Sequence, residues 1–202
     1  MQNIIWKNSA SAEKNLLMKK PLAVITMSLF VLIFMNLYSM PLITKNLSSP
    51  FFGQLDKRLL DLRYQGYQKH DVSLFFELIG PQGRQDYQRF QIPIDMIYPL
   101  LFALGYSLFF AAYFRSRNQS LGFKKYQLAI ISLPFISAIL DWSENANTFY
   151  LLQIFPSIDA QKVSWGSHLT QFKFLFITIT LFIFTMMISH LIFIKLRDRS
   201  HF

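Results

Sequence analysis

Four long apolar segments constrain this chain more than any other feature, because each is long enough to cross a membrane as a helix. They cover residues 21–43, 93–114, 126–149 and 171–194 of a 202-residue chain. About 20 apolar residues in an α-helix span the ~30 Å hydrocarbon core of a bilayer. Hydrophobic residues make up 52% of the chain and charged residues only 15%. The sequence therefore predicts an all-α polytopic membrane protein, with residues 1–202 forming a single domain built on a four-helix transmembrane bundle.

The basic residues predict the orientation of this bundle. Of the 20 lysines and arginines, 11 lie before the first apolar segment, after the last one, or between the second and third, a stretch that we call the second connection. The acidic residues in these three places are only Glu13 and Asp198. By the positive-inside rule both termini are cytoplasmic, in a cell membrane that we interpret as a bacterial inner membrane. The net charge of +9 then indicates contact with anionic membrane lipids rather than with nucleic acid.

The first connection, residues 46–91, lies on the extracytoplasmic side in this topology. Leu55, Leu59 and Leu62 recur at helical intervals, and "DVSLFFELIG" has a candidate N-cap, Asp71, and a candidate C-terminal glycine, Gly80. These features predict short amphipathic helices that cover the outer mouth of the bundle.

Polar side chains fall at one depth in the predicted helices. Asp141 lies about 22 Å along its helix, roughly 8 Å below the outer boundary of the hydrocarbon core. Asn36 reaches a similar depth, and Asp95 lies about 5 Å below the same boundary. Lys173 opens the last helix on that side. The sequence thus predicts a polar layer in the outer third of the membrane.

Helical spacing groups these residues further. Asp141, Glu144 and Asn145 follow an i, i+3, i+4 pattern, which places them on one face, and Asp95 shares a face with Tyr98. Because acidic residues cost roughly 2.5–3.5 kcal/mol at a helix centre, such residues normally face the protein interior and are paired.

Three interpretations of the acidic group remain open from the sequence. It is a functional site, with Lys173 and Arg84 as the cationic partners of the acids. Alternatively it is a clasp, in which the helices are hydrogen-bonded together by Asp141, Asn36, Asn145 and Lys173. The third possibility is that the helix ends at Asp141 and the motif lies at the membrane surface.

Other chemistry finds little support in the sequence. The absence of cysteine excludes disulfides and thiolate-ligated metal centres. His190 is the one histidine in an apolar segment, so bis-histidine haem ligation is not available, and we interpret it as a hydrogen-bonded structural residue. We predict no cofactor and no metal site.

Three motifs resemble a pattern in small four-helix bacterial membrane proteins that have no established activity. The motifs are "GRQDYQRFQIPIDMIYP", "DWSEN" and "SHLTQFK", and the resemblance covers about residues 20–195. It supplies no reaction. The matching positions are Gly83, Arg84, Tyr87, Asp95, Pro99, Asp141, Glu144, Asn145 and Lys173.

The leading functional hypothesis is a pocket that binds or chemically processes an amphipathic or lipid-like ligand. Asp141, Glu144 and Asp95 are the candidate catalytic or cation-binding groups. The candidate ligand-binding residues are Arg84, Lys173, Asn145, Tyr98, Asn36 and Tyr87. The alternatives are a small proton- or cation-coupled transporter that acts as a homo-oligomer, and a non-catalytic assembly subunit. Whether the protein is an enzyme is left open.

Overall fold

A computed structural model describes residues 19–27, 29–31, 33–34, 37, 60–117 and 123–199. Over these ranges 91% of the residues are helical and there is no strand. Three helical stretches are long and apolar enough to cross a membrane, Lys69–Arg117, Lys125–Ile154 and Ala160–Asp198. The all-α, multi-pass character predicted from the sequence agrees with this finding.

The elements after residue 59 follow one another with short connections. A 3-10 turn covers Leu60–Leu62, and the first long stretch divides into three α-helices and a π-helical segment. In chain order the elements are α1 (Lys69–Asp86), the π segment (Tyr87–Gln91), α2 (Ile92–Asp95), α3 (Ile97–Arg117), α4 (Lys125–Ile154) and α5 (Ala160–Arg199).

The predicted first transmembrane segment, residues 21–43, is described only in part. Its described residues between 19 and 34 are helical. They pack against α3 at Gly105, whose lack of a side chain allows Ile25 to approach closely. A Cβ atom at Gly105 would lie 2.8 Å from Ile25 Cγ1 and 3.1 Å from the Ile25 backbone nitrogen. Asn36 lies outside the described residues, and the fourth spanning helix stays a prediction.

The helices α3, α4 and α5 form the centre of the fold, with α4 packed against both of the others. Aromatic residues of α3 fill the space near the middle of α5. The Phe184 ring meets Phe109 at 4.7 Å and Tyr106 at 5.1 Å between ring centroids, both edge to face. Such edge-to-face pairs are a favoured geometry for aromatic rings.

A second apolar cluster lies where α1 packs against the end of α4 and the start of α5. We call this group the cap core, and it also includes residues of the 3-10 turn and the π segment. Its members are Leu60, Tyr67, Val72, Phe75, Phe76, Ile79, Tyr87, Ile92, Leu151, Leu152, Ile158 and Val163.

The ends of α1 differ from the predicted ones. The helix begins at Lys69, and the N-cap is Gln68 rather than Asp71. Asp71 occupies the third helical position, where its carboxylate accepts a hydrogen bond of 2.7 Å from the Gln68 backbone N–H. Gly80 has a φ of 67°, which favours glycine, and the helix axis breaks there before continuing to Asp86.

The last two helices are longer than the apolar segments that predict them. The fourth helix runs to Ile154 and the fifth begins at Ala160, eleven positions before Gln171. A 40-residue helix is about 60 Å long, so α5 extends well beyond a ~30 Å hydrocarbon core. The segment "WGSHLT", predicted as part of a connection, is therefore the first part of α5.

Candidate functional site

Lys173 lies at the centre of the polar layer, on the face of α5 that packs against α4. Its side chain is 5% exposed. The ammonium Nζ is 2.7 Å from Asp141 Oδ1, 2.7 Å from Glu144 Oε2 and 2.9 Å from the Asp61 carbonyl oxygen. The ammonium group donates hydrogen bonds to Asp141 Oδ1 and the Asp61 carbonyl oxygen, and it forms an ion pair with Glu144.

The spacing along α4 explains how one lysine reaches two acids. Asp141 and Glu144 stand three residues apart, so both project toward the same side of α5. Glu144 is fully buried, and its Oε1 accepts a short hydrogen bond from the Thr170 hydroxyl. That hydroxyl also lies 3.1 Å from the Gly166 carbonyl oxygen of the preceding turn. The predicted shared face is present in the structure.

Asp95 approaches the same layer from the end of α2. It is 5% exposed, and it lies close enough to Asp141, Lys173 and Asn145 to interact with them electrostatically. The helix is interrupted at Met96, directly after Asp95. Pro99 explains the break, because it has no N–H to donate to the carbonyl of residue 95.

The side chain of Trp142 secures this break. Its indole Nε1 donates a 2.9 Å hydrogen bond to the Met96 carbonyl oxygen. The bond joins α4 to the chain at a point one residue from Asp95 and one residue from Asp141. The hydrogen bond therefore links the two chain segments that carry these acids.

Asp61 is the acidic residue that the sequence analysis missed. It belongs to the 3-10 turn Leu60–Leu62, is 7% exposed, and interacts electrostatically with Lys173, Asp141 and Asp95. Its Oδ1 has no hydrogen-bond partner among the described residues. Burial raises the pKa of Asp61 to about 6, although Lys173 acts in the opposite direction.

We call the five ionisable groups the acidic cluster, and it holds more acids than bases. Its members are Asp61, Asp95, Asp141, Glu144 and Lys173. If all of them ionise, four carboxylates face one ammonium group. Arg63 is also buried, but its guanidinium lies 3.8 Å from Asp71, outside the cluster. Because buried charges are costly without a partner, the excess has to be neutralised by protons or by a further cation.

The other predicted site residues divide into two groups. Asn145 and Tyr98 lie beside Asp95, and Tyr98 also lies near Asp141. Tyr87 is 2% exposed and belongs to the cap core, where its ring meets Phe75 edge to face at 5.9 Å. These three residues line or cover the acidic cluster.

Arg84 has a different role from the predicted one. Its guanidinium Nη1 donates a 2.7 Å hydrogen bond to the Phe76 carbonyl oxygen, and its Cζ stacks 4.6 Å from the Phe155 ring centroid. It forms no ion pair with any carboxylate of the acidic cluster. The helix is kinked at Gly80, and the arginine on one side of the kink binds a carbonyl on the other side.

A surface cleft of about 440 Å³ lies elsewhere, at the start of α5. It is lined by Gln161, Lys162, Ser164, Trp165 and His168. These residues share one exposed side of the helix, whereas Gly166, Ser167 and Thr170 on the other side are buried toward α4. The cleft is therefore separated from the acidic cluster by the helix itself.

Over the described ranges, no three His, Asp or Glu side chains are grouped so as to hold a metal ion. His190 Nδ1 is 2.6 Å from the Tyr113 hydroxyl, which gives this histidine a hydrogen-bond partner.

A substitution at Gly166 tests how tightly α5 packs against the side chains beside the acidic cluster. A Cβ atom there would lie 2.4 Å from Asn147 Nδ2 and 2.7 Å from the Tyr67 hydroxyl oxygen. We expect Gly166→Ala to destabilise the protein by about 1–3 kcal/mol, the usual cost of overpacking. The thermal midpoint in detergent measures this. An unchanged midpoint would show that the two side chains can move aside.

The raised pKa of the Asp61 carboxyl predicts that its contribution to stability decreases as the pH rises. The ordinary pKa of 3.8 rises to about 6 in the fold, so the folded state binds more protons than the unfolded state between these values. Stability contributed by Asp61 is present below about pH 4 and is lost, by about 3 kcal/mol, as the pH rises to about 6.

This contribution is measured as the difference in thermal midpoint between the wild type and Asp61→Asn across pH 4–8. We expect the wild type to lose stability relative to the variant up to about pH 6 and to stay level above it. A wild type that gains on the variant as the pH rises would contradict the assignment. Other titratable groups facing Asp61 are common to both proteins, and they are Lys173, Asp141, Asp95, Glu144, Tyr67 and Tyr87.

The structure alone carries the functional argument. The resemblance to small four-helix bacterial membrane proteins stays a prediction. Comparisons of the chain with known protein families, with curated proteins and with solved structures find no match.

Proposed function

We propose that this chain is a multi-pass protein of the cell membrane that binds an amphipathic, lipid-like ligand at the acidic cluster. Both termini are cytoplasmic in this proposal, and the cluster lies in the outer third of the bilayer. The cap core then covers the site from the extracytoplasmic side. The basic residues at both ends of the chain and in the second connection support this orientation.

The observation that carries the proposal is the excess of buried carboxyl groups around Lys173. A clasp between two helices needs one acid for one base, and Lys173 already has Asp141 and Glu144 at 2.7 Å. Asp95 and Asp61 add two more carboxyl groups to the same apolar surroundings. Ionisable residues within membrane segments are costly, and they mark functional sites more often than structural ones.

The surroundings of Asp95 suit a ligand with one polar and one apolar end. Asp95 itself is buried, whereas the next two residues, Met96 and Ile97, are 41% and 51% exposed. In a bilayer these apolar side chains contact lipid tails. A ligand can place its head group at the acids and its chain along this surface.

The cluster also has the groups needed for proton transfer. A protonated carboxyl donates a hydrogen bond and, once ionised, accepts a proton, so a buried acid can serve as general acid or general base. Asp95 is the candidate, since Asp141 and Glu144 both lie 2.7 Å from the Lys173 ammonium group. Chemical processing of the ligand is thus compatible with the site.

Native mass spectrometry of the protein released from a mild detergent tests the proposal. We expect the wild type to retain a molecule of lipid-like mass and Asp95→Asn to lose it. The matched control is Glu77→Gln, which changes an exposed acid on α1. If the wild type and Asp95→Asn carry the same molecules, the site does not bind the ligand. A variant that differs only in a lower thermal midpoint would favour the assembly-subunit interpretation.

Proton- or cation-coupled transport is the second candidate, and the same excess of carboxyl groups favours it. Carboxyl groups in membrane segments form proton relays in many pumps and transporters. Proton uptake into proteoliposomes that disappears in Asp95→Asn would support this candidate. Four helices are few for a carrier, so transport would require a homo-oligomer.

A further inference from the structure

We propose that the acidic cluster receives the ammonium head group of a long-chain amine, held between Asp61 and Asp95. This inference rests on the proposed function and specifies the ligand class. It excludes a phosphate or a carboxylate as the head group.

Lys173 cannot serve as an anion-binding residue in this arrangement. Its ammonium Nζ already donates hydrogen bonds to Asp141 Oδ1 and the Asp61 carbonyl oxygen, at 2.7 and 2.9 Å, and lies 2.7 Å from Glu144 Oε2 in an ion pair. An anionic head group would have to replace one of these oxygens. It would also enter a space that contains four carboxyl groups, where like charges repel it.

Asp61 supplies an acceptor that has no donor among the described residues. The residue is 93% buried, and its Oδ1 makes no hydrogen bond within the described ranges. An unpartnered buried acceptor costs about 1–3 kcal/mol, and more when it is charged. A ligand that brings an N–H donor and a positive charge relieves both costs.

Asp95 provides the second hydrogen-bond acceptor for the ammonium group, and it lies next to apolar side chains that are exposed to lipid. It interacts electrostatically with Asp61, although no basic side chain lies within ion-pair distance of it in the described part of the chain. The Asn145 amide lies beside it and can donate a hydrogen bond to the Asp95 carboxylate. The apolar chain of the amine would leave past Met96 and Ile97, which are exposed.

The charge balance supports the same ligand class. Four carboxyl groups and one ammonium leave an excess of three negative charges when all groups ionise. A bound ammonium group lowers this excess, and the pKa of Asp61, raised to about 6 by burial, leaves that acid ionised near neutral pH. Asp61 and the ammonium group would then form a charge-assisted hydrogen bond, the stronger kind.

Thermal shift measurements in an uncharged detergent at pH 7.5 test the inference with three probes. Dodecylammonium represents the long-chain amine, dodecyl phosphate the anionic amphiphile, and butylammonium a free amine without a long chain. The wild type is compared with Asp61→Asn, which keeps the backbone carbonyl that binds Lys173. The matched control is Asp71→Asn, since Asp71 is a half-exposed acid outside the cluster.

We expect dodecylammonium to raise the midpoint of the wild type by about 5–10 °C at ~100 times its Kd. This rise is retained in Asp71→Asn and mostly lost in Asp61→Asn. Asp95→Asn gives the same test should Asp61→Asn fail to fold. Dodecyl phosphate and butylammonium are expected to give much smaller rises.

The outcomes separate the two proposals. A rise with dodecyl phosphate that exceeds the rise with dodecylammonium overturns the ammonium assignment and leaves the lipid-binding function standing. An equal rise with butylammonium overturns the long-chain requirement. No rise with any probe contradicts the proposed function itself. A rise with dodecylammonium that is as large in Asp61→Asn and Asp95→Asn as in the wild type shows that the amine binds elsewhere.

Discussion

Replacement of Lys173 by methionine is expected to lower the free energy of unfolding by about 3–5 kcal/mol, because it removes the base from a buried ion pair. Asp141 and Glu144 would lose the ammonium group that lies 2.7 Å from each of them. Both carboxylates are buried, so they would remain without a countercharge in apolar surroundings. The thermal midpoint in detergent is expected to fall by about 6–20 °C.

Two further variants show whether charge is the cause. Lys162→Met removes an exposed lysine from the same helix, 5.9 Å above the Tyr150 ring, and is expected to have little effect. Adding Asp141→Asn and Glu144→Gln to Lys173→Met is expected to recover most of the loss, since no uncompensated charge remains. A Lys173→Met protein as stable as Lys162→Met would contradict the ion-pair geometry.

Truncation of Phe76 is expected to have the second large effect, because this ring is completely buried at the centre of the cap core. It is 0% exposed and contacts the Phe75 and Phe155 rings at 6.0 and 5.8 Å between centroids. Phe→Ala changes at such positions cost about 3–5 kcal/mol, through lost burial and the cavity left behind. We expect a loss of this size in Phe76→Ala, measured by denaturation in detergent.

The matched control for Phe76 lies on α5. Phe172 is 53% exposed, on a part of the helix surface that faces away from the core. Phe172→Ala is therefore expected to change the unfolding free energy by a small fraction of the Phe76→Ala loss. Equal losses of unfolding free energy in Phe76→Ala and Phe172→Ala would show that α1 does not pack against the end of α4 and the start of α5.

Local patterns were enough to predict the helical nature of the chain and the shared face of Asp141 and Glu144. Apolar length indicates a spanning segment, and the i, i+3 spacing determines which residues share a side of a helix. Lys173 could be named as a cationic partner because it lies at the start of the last apolar segment. The same reasoning could not locate the start of α5, since the polar residues between Ala160 and Thr170 carry no apolar run.

Asp61 and Arg84 show what such patterns cannot provide. Asp61 follows two leucines in an amphipathic sequence, and a charge at such a position is typical of a solvated face. It is buried because the 3-10 turn packs against α5, where Lys173 Nζ donates a hydrogen bond to the Asp61 carbonyl oxygen. These two residues are far apart in the sequence. Arg84 bonds to Phe76 instead of an acid because the chain bends at Gly80. Both outcomes depend on tertiary packing rather than on local spacing.

The most direct test of a ligand site at the acidic cluster is carboxyl labelling with a hydrophobic carbodiimide, mapped by mass spectrometry. Such a reagent modifies protonated carboxyl groups in apolar surroundings, so the reaction is run at about pH 6, where about half of Asp61 is protonated. Asp198, with 66% of its side chain exposed, gives the background labelling of a carboxyl group outside the cluster. We expect labelling at Asp61 or Asp95 that decreases when dodecylammonium is added, while labelling at Asp198 stays constant. Labelling of Asp61 and Asp95 that is absent, or unchanged by the amine, would contradict a ligand site and show that these carboxyl groups contact only one another.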